Sequence, residues 1–197
     1  MQPLLNFVKR KFKALNYLLW NKVIIIASLY EYRIDNTKFA LIPNIAGNFI
    51  VIDENNFEKY RLLFANENID MFMERIYVYH DVCIAYLIGS KMVYRMFLTT
   101  RGIYYEPAIN TNIEIHSDAA FLYDAQTIME YRGHEIYYSS LPQLFSLAST
   151  LKKKRAFICV LDTNIPSRKT VLKIKFKVIK KYIFIPSLGI TKSWDCS

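Results

Sequence analysis

Glycine is scarce in this chain, with five residues in 197, alongside six prolines and three cysteines. At 53% hydrophobic and 15% aromatic residues with so few turn-formers, low complexity and disorder are excluded, and the length suits one folded domain over 1–197. Cys83, Cys159 and Cys196 are odd in number, far apart and without C-x-x-C spacing. That excludes a disulfide framework or a cysteine zinc site and points to a reducing, cytoplasmic setting. The histidines His80, His116 and His134 are isolated, so no metal is expected. Long apolar runs are missing as well. Residues 17–30 fall short of the roughly 20 needed to span a bilayer, and Asn21 and Lys22 interrupt them. The opening stretch, Leu4 to Leu15, is basic and loosely amphipathic but lacks a signal's apolar region and cleavage site. It reads either as a helix packed on the domain or as a peripheral contact with an anionic membrane. Acidic residues are the minority, 17 against 26 Lys and Arg, and the resulting +9 favours an anionic partner.

The elements alternate. β-branched and apolar runs predict strands at 23–30 and 49–52, and Asp53–Asn56 predicts a capped helix start with Phe57, Tyr60, Leu63 and Phe64 on one face. A second helix follows from Asp70. A hairpin is expected over 81–98 about Gly89-Ser90-Lys91, then a polar connection containing Glu114 and His116, which share strand parity. Beyond it come a strand at 119–127, a helix at 136–151, a strand at 156–160, a short helix at 166–173 and a last strand pair within 176–185. This order describes a mixed α/β domain.

Two segments carry more than periodicity. Thr127-Ile128-Met129-Glu130-Tyr131-Arg132-Gly133-His134-Glu135-Ile136-Tyr137 joins a strand to an apolar helix, and Asn164-Ile165-Pro166-Ser167 follows one strand later, leading to Lys173-Ile174-Lys175-Phe176. In this order the pair resembles the motifs of the GNAT superfamily of N-acyltransferases. The likeness covers about 81–185; residues 1–80 match only in element order and form a divergent N-terminal part. It implies a mixed central sheet flanked by helices, with an acyl-CoA, acetyl-CoA above all, whose pyrophosphate sits on the turn that opens the helix. Free N–H groups and the helix dipole suit such a turn to phosphate. The implied cofactor-binding residues are Thr127, Arg132, Gly133, His134, Glu135, Ile136, Tyr137, Asn164 and Ser167. Glu135 and Tyr137 stand where the family usually has glycine.

The resemblance further implies direct attack of a small-molecule primary amine on the thioester carbonyl, with no covalent enzyme intermediate. Asp124 is the candidate general base. The family's acidic tyrosine corresponds to Val171, so Tyr137 or Tyr138 would take its place as acid. Residues 151–183 hold eleven Lys and Arg against Asp162 alone, a balance of +10. Placed along a cofactor groove, that charge also suits an acidic acyl carrier protein as donor. The alternatives are a GNAT-like domain that binds a thioester without turnover, and a basic protein for nucleic acid or a membrane surface. The chain lacks the usual nucleic-acid signatures.

Overall fold

A computed structural model describes residues 24–34, 41–65 and 67–196. The basic opening stretch lies outside them. Among the described residues there are ten strands: β1 Ile25–Arg33, β2 Asn48–Ile52, β3 Val82–Ile88, β4 Lys91–Thr99, β5 Ile103–Glu106, β6 Thr111–Glu114, β7 Ala119–Thr127, β8 Arg155–Leu161, β9 Lys177–Ile185 and β10 Ile190–Asp195. The helices are α1 Phe57–Tyr60, α2 Ile69–Met73, α3 Ile136–Thr150 and α4 Ile165–Lys173, and α2 runs on into a π turn over Glu74–Val78.

Eight strands form one mixed sheet in the order β10-β9-β1-β8-β7-β4-β3-β2. Every neighbouring pair is antiparallel except β7 and β8, which run parallel. Strand alternation divides the core between the two faces. Ala120 and Leu122 of β7 join Leu141, Leu144, Phe145 and Ala148 of α3 and Val171 of α4. Ala119, Phe121 and Tyr123 join Phe57, Phe64, Phe72 and Ile76 on the opposite face, each large side chain contributing about 1.5–3 kcal/mol by leaving water.

The structure corrects the expected elements at several points. The first strand runs three residues further, to Arg33, and lies between β8 and β9. The connection after β4 holds a separate hairpin, β5–β6, whose turn includes Pro107–Ile109; Ile109 and Ile113 bury against the second core face, while the exposed polar residues between them hid the strand pattern. The expected pair within 176–185 is one strand, β9, whose hairpin partner is β10 across the Pro186–Gly189 turn. β10 escaped notice because Lys192, Ser193 and Asp195 dilute its apolar residues.

Tyr94, Tyr104, Tyr123, Tyr137 and Tyr182 all have phenols raised by burial, Tyr137 and Tyr182 to about 12. The folded chain therefore holds these protons more tightly than the unfolded chain. Their contribution is complete below the unfolded value near 10 and is lost as the pH rises through the folded values. The urea midpoint should stay flat from about pH 8 to 9.5 and fall steeply between about 10 and 12; a flat profile through pH 12 contradicts this.

Candidate functional site

β7 and β8 pair only from Ala119↔Arg155 to Leu122↔Ile158, although both strands continue. Beyond Leu122 they separate, and the ladder between β4 and β7 shifts at the same level. Arg95 faces Gln126 and Phe97 faces Tyr123, so Asp124 and Ala125 together oppose Met96. This is a β-bulge, and Asp124 adopts φ 52, a conformation that Asp tolerates better than most residues. A groove of ≈ 1060 Å³ opens here, lined by Ala125 to Ile128 of the β7 end, the starts of α3 and α4, β4, and Leu62, Leu63 and Glu67.

One end of the groove is the turn before α3. Gly133 (φ 86) and Glu135 (φ 58) are both left-handed, which turns successive N–H groups toward one concavity. Among the described residues, the N–H groups of residues 133–138 have no backbone acceptor. Ile136 buries its side chain in the core and offers only this N–H. Arg132 lies exposed on the rim with Nε donating to the Thr127 carbonyl at 3.2 Å. His134 is tied down through its carbonyl, which accepts from Asn44 N–H at 3.0 Å, and its ring is not part of the lining.

Glu135 does not project a bare negative charge into this concavity. Lys173 Nζ lies 2.9 Å from Oε1, and Asn44 Nδ2 donates to Oε2 at 3.4 Å. The Glu135 hydrogen bond raises the Lys173 ammonium above its ordinary value, and the same ammonium stands 3.9 Å from the Tyr138 ring centroid. Lys169 and Lys173 are the members of the 151–183 basic run that reach the groove, so most of that charge lies elsewhere on the fold.

Asn164 and Ser167 acquire a local explanation. Asn164 Oδ1 accepts from Ser167 N–H at 3.2 Å and caps α4. Ser167 Oγ donates to the Tyr137 hydroxyl at 3.4 Å, so the two motif segments meet at the splay between β7 and β8. Tyr137 is largely buried beside Tyr94, and burial pushes its phenol up to about 12 against a smaller opposing effect of Ser167.

Asp124 itself is not part of the groove lining; next to the far end, it has both carboxylate oxygens engaged. Oδ2 meets Arg75 Nη1 at 2.5 Å and Arg95 Nη2 at 3.5 Å, and Oδ1 accepts from Gln126 Nε2 at 3.1 Å. Arg75 is packed over the rings of Phe72, Phe97 and Tyr123; burial lowers its guanidinium, but the Asp124 bond and neighbouring charges outweigh this and leave it raised. Arg95 pairs in turn with Glu67. Neither arginine was singled out from the sequence. The available signal was Arg95 itself, a charge within the apolar run 92–98 that requires a buried partner. Glu114 and His116 are exposed and lie outside the groove lining.

Among the described residues no group of three His, Cys, Asp or Glu could hold a metal ion, and no helix is long and apolar enough to cross a membrane. No family model matches the chain, and no curated protein matches its sequence. Solved structures do match its architecture. An acetyltransferase from the GNAT family of Colwellia psychrerythraea superposes with a TM-score of 0.54 at 12% identity, over 86% of this chain and 60% of its own. A GNAT-family protein from Novosphingobium aromaticivorans gives 0.53 at 10% identity, over 87% of this chain and 66% of its own. A Drosophila protein gives 0.52 at 9% identity, over 92% and 58%. The chain thus spans less than two thirds of the length of each of these structures. With a mixed sheet that splays at its single parallel pair and helices packed on both faces, the chain has the GNAT fold.

Proposed function

We propose that the protein is an N-acyltransferase that moves an acyl group, acetyl in the simplest case, from an acyl-CoA thioester to a primary amine of a small molecule. The observation that carries this reading is the continuity of the groove, from a concavity of free N–H groups at α3, past the β7 bulge, to a charged end at Glu67 and Arg95. A phosphate at the α3 turn meets those N–H groups, the dipole of a 15-residue helix, and Arg132 and Lys173 on the rim. The pantetheine arm then follows the splayed edge of β7 past Thr127, and the thioester reaches the bulge. There the interrupted ladder leaves backbone polar groups free to polarise the carbonyl. The amine approaches from the Glu67 end and forms the C–N bond as the C–S bond breaks. Its proton leaves to solvent through the open end of the groove, and the thiolate departs beside Tyr137.

Within this reading Asp124 is a positioning residue, because its oxygens are committed to Arg75, Arg95 and Gln126. Gly133, His134, Glu135 and Ile136 hold the turn, and Asn164 and Ser167 hold α4 and Tyr137. Lys91, Arg132, Lys169 and Lys173 around the groove favour an acidic carrier protein as a second donor, since it presents the same phosphopantetheine arm.

Isothermal titration with acetyl-CoA, longer acyl-CoAs and acyl carrier protein tests the reading, with thiol release followed over an amine panel. Arg132→Glu should weaken acetyl-CoA binding by about tenfold or more, because one rim cation becomes an anion beside phosphate while the exposed site leaves the fold intact. Binding of no thioester by the wild-type chain sinks the proposal; binding without thiol release to any amine leaves a thioester-binding domain.

A further inference from the structure

The end of the groove farthest from the phosphate-binding turn is organised around Arg95. This residue sits in the middle of β4, only 5% exposed, with its guanidinium 4.9 Å from the Phe72 ring centroid and Nη2 3.5 Å from Asp124. Those contacts fix it. An arginine has five N–H donors, yet among the described residues Nε has no partner and Nη1 is met by Glu67 alone. The partner is attached quite differently. Glu67 lies on the bend before α2, its side chain is 33% exposed, and Arg95 is its carboxylate's one hydrogen-bond partner among the described residues.

Charge gives this asymmetry a direction. Arg75 and Arg95 face Asp124 and Glu67, so the cluster is neutral as it stands. Withdrawing Glu67 leaves one buried guanidinium in excess at the groove wall, a state that is costly unless another anion replaces the carboxylate. Leu62 and Leu63 line the same end, and Leu62 is 86% exposed, an apolar surface open to a bound side chain. We propose that Glu67 is a displaceable stand-in for a carboxylate on the acceptor, so that Arg95 selects amines that also carry a carboxylate, namely amino acids with apolar side chains. The inference rests on the acyl-transfer reading for its role in turnover, but the exchange at Arg95 is a binding event in its own right.

Two matched pairs differing only in the carboxylate test it: phenylalanine with phenethylamine, and leucine with isoamylamine. In thiol-release assays with acetyl-CoA the amino acid of each pair should lead in kcat/KM by about tenfold or more, the worth of one charge-assisted pair. Glu67→Gln removes the competing anion and should widen that ratio and tighten phenylalanine binding in titrations without thioester. Arg95→Met should abolish the preference; should this buried substitution fail to fold, the surface variant at Glu67 still decides. Equal turnover of both members overturns the inference while leaving acyl transfer intact, and so does weaker phenylalanine binding by Glu67→Gln. Acylation of neither member, with phenylalanine bound more tightly by Glu67→Gln than by wild type, supports the Arg95 site, and thiol release over the wider amine panel then decides acyl transfer separately.

Discussion

Asp124→Asn is expected to cost about 3 kcal/mol of stability, the range for removing one member of a buried ion pair. For a chain of this length that is a fall of roughly 6–12 °C in Tm. Asparagine tolerates the left-handed φ of 52 and keeps the side chain's size, so the backbone bulge and packing survive and the change isolates the charge. What is lost is the counterion that Arg75 and Arg95 share. Arg75 lies among Phe72, Phe97 and Tyr123 with its side chain only 17% exposed, so little water is at hand to replace the carboxylate. A double variant carrying Arg75→Met with Asp124→Asn should recover part of the loss, because the second change removes one uncompensated cation; additive losses argue against the pairing. The same variant separates two roles for Asp124. A positioning residue loses activity in step with its folded fraction and retains the acidic limb of the pH–rate profile. A general base loses that limb at temperatures where the variant is folded.

Much of this site could be read from the residues before the fold was known. The strands at 82–88, 91–99 and 119–127 announce themselves because they are buried on both faces and so nearly continuous in apolar residues. The turn at Arg132–Glu135 stands out because a glycine between a strand and a long helix limits what the backbone there can do. Long-range charge pairing was not legible. Asp124 meets Arg75 across 49 positions, and Glu135 meets Lys173 across 38, and no local spacing links either pair. Glu135 at a position where the family usually has glycine gives no sign in the sequence of its partner, and the fold supplies Lys173 to neutralise it. The bulge was equally hidden, since one extra residue in β7 leaves the run 119–127 as apolar as before and shows only in the register with β4. The Asn164-x-x-Ser167 spacing was legible but ambiguous: a helix cap and a cofactor motif call for the same residues, and here the cap is seen in a hydrogen bond.

Tyr137→Phe should reduce kcat for thiol release by about a hundredfold, the usual loss when one donor aimed at developing negative charge is removed. Two features give the phenol this role. Ser167 donates to its oxygen at 3.4 Å, which leaves the phenolic proton free to point into the groove. Burial holds that proton on to about pH 12, so the donor is present throughout the working range. The same shift limits the mechanism. A thiol has an ordinary value near 8.5, well below this phenol, so complete transfer to the departing sulfur is uphill. In the proposed acyl transfer Tyr137 therefore stabilises the nascent thiolate by a hydrogen bond, and the proton that finally neutralises it comes from solvent. The pH–rate profile discriminates between the two. A hydrogen-bond donor that stays protonated gives parallel profiles for wild type and Tyr137→Phe, displaced by a constant factor with no added basic limb below about pH 11. Ser167→Ala should mimic a small part of the defect by loosening the phenol's orientation. Unchanged kcat in Tyr137→Phe, with acetyl-CoA affinity preserved, removes Tyr137 from the chemical step and returns it to the wall of the groove.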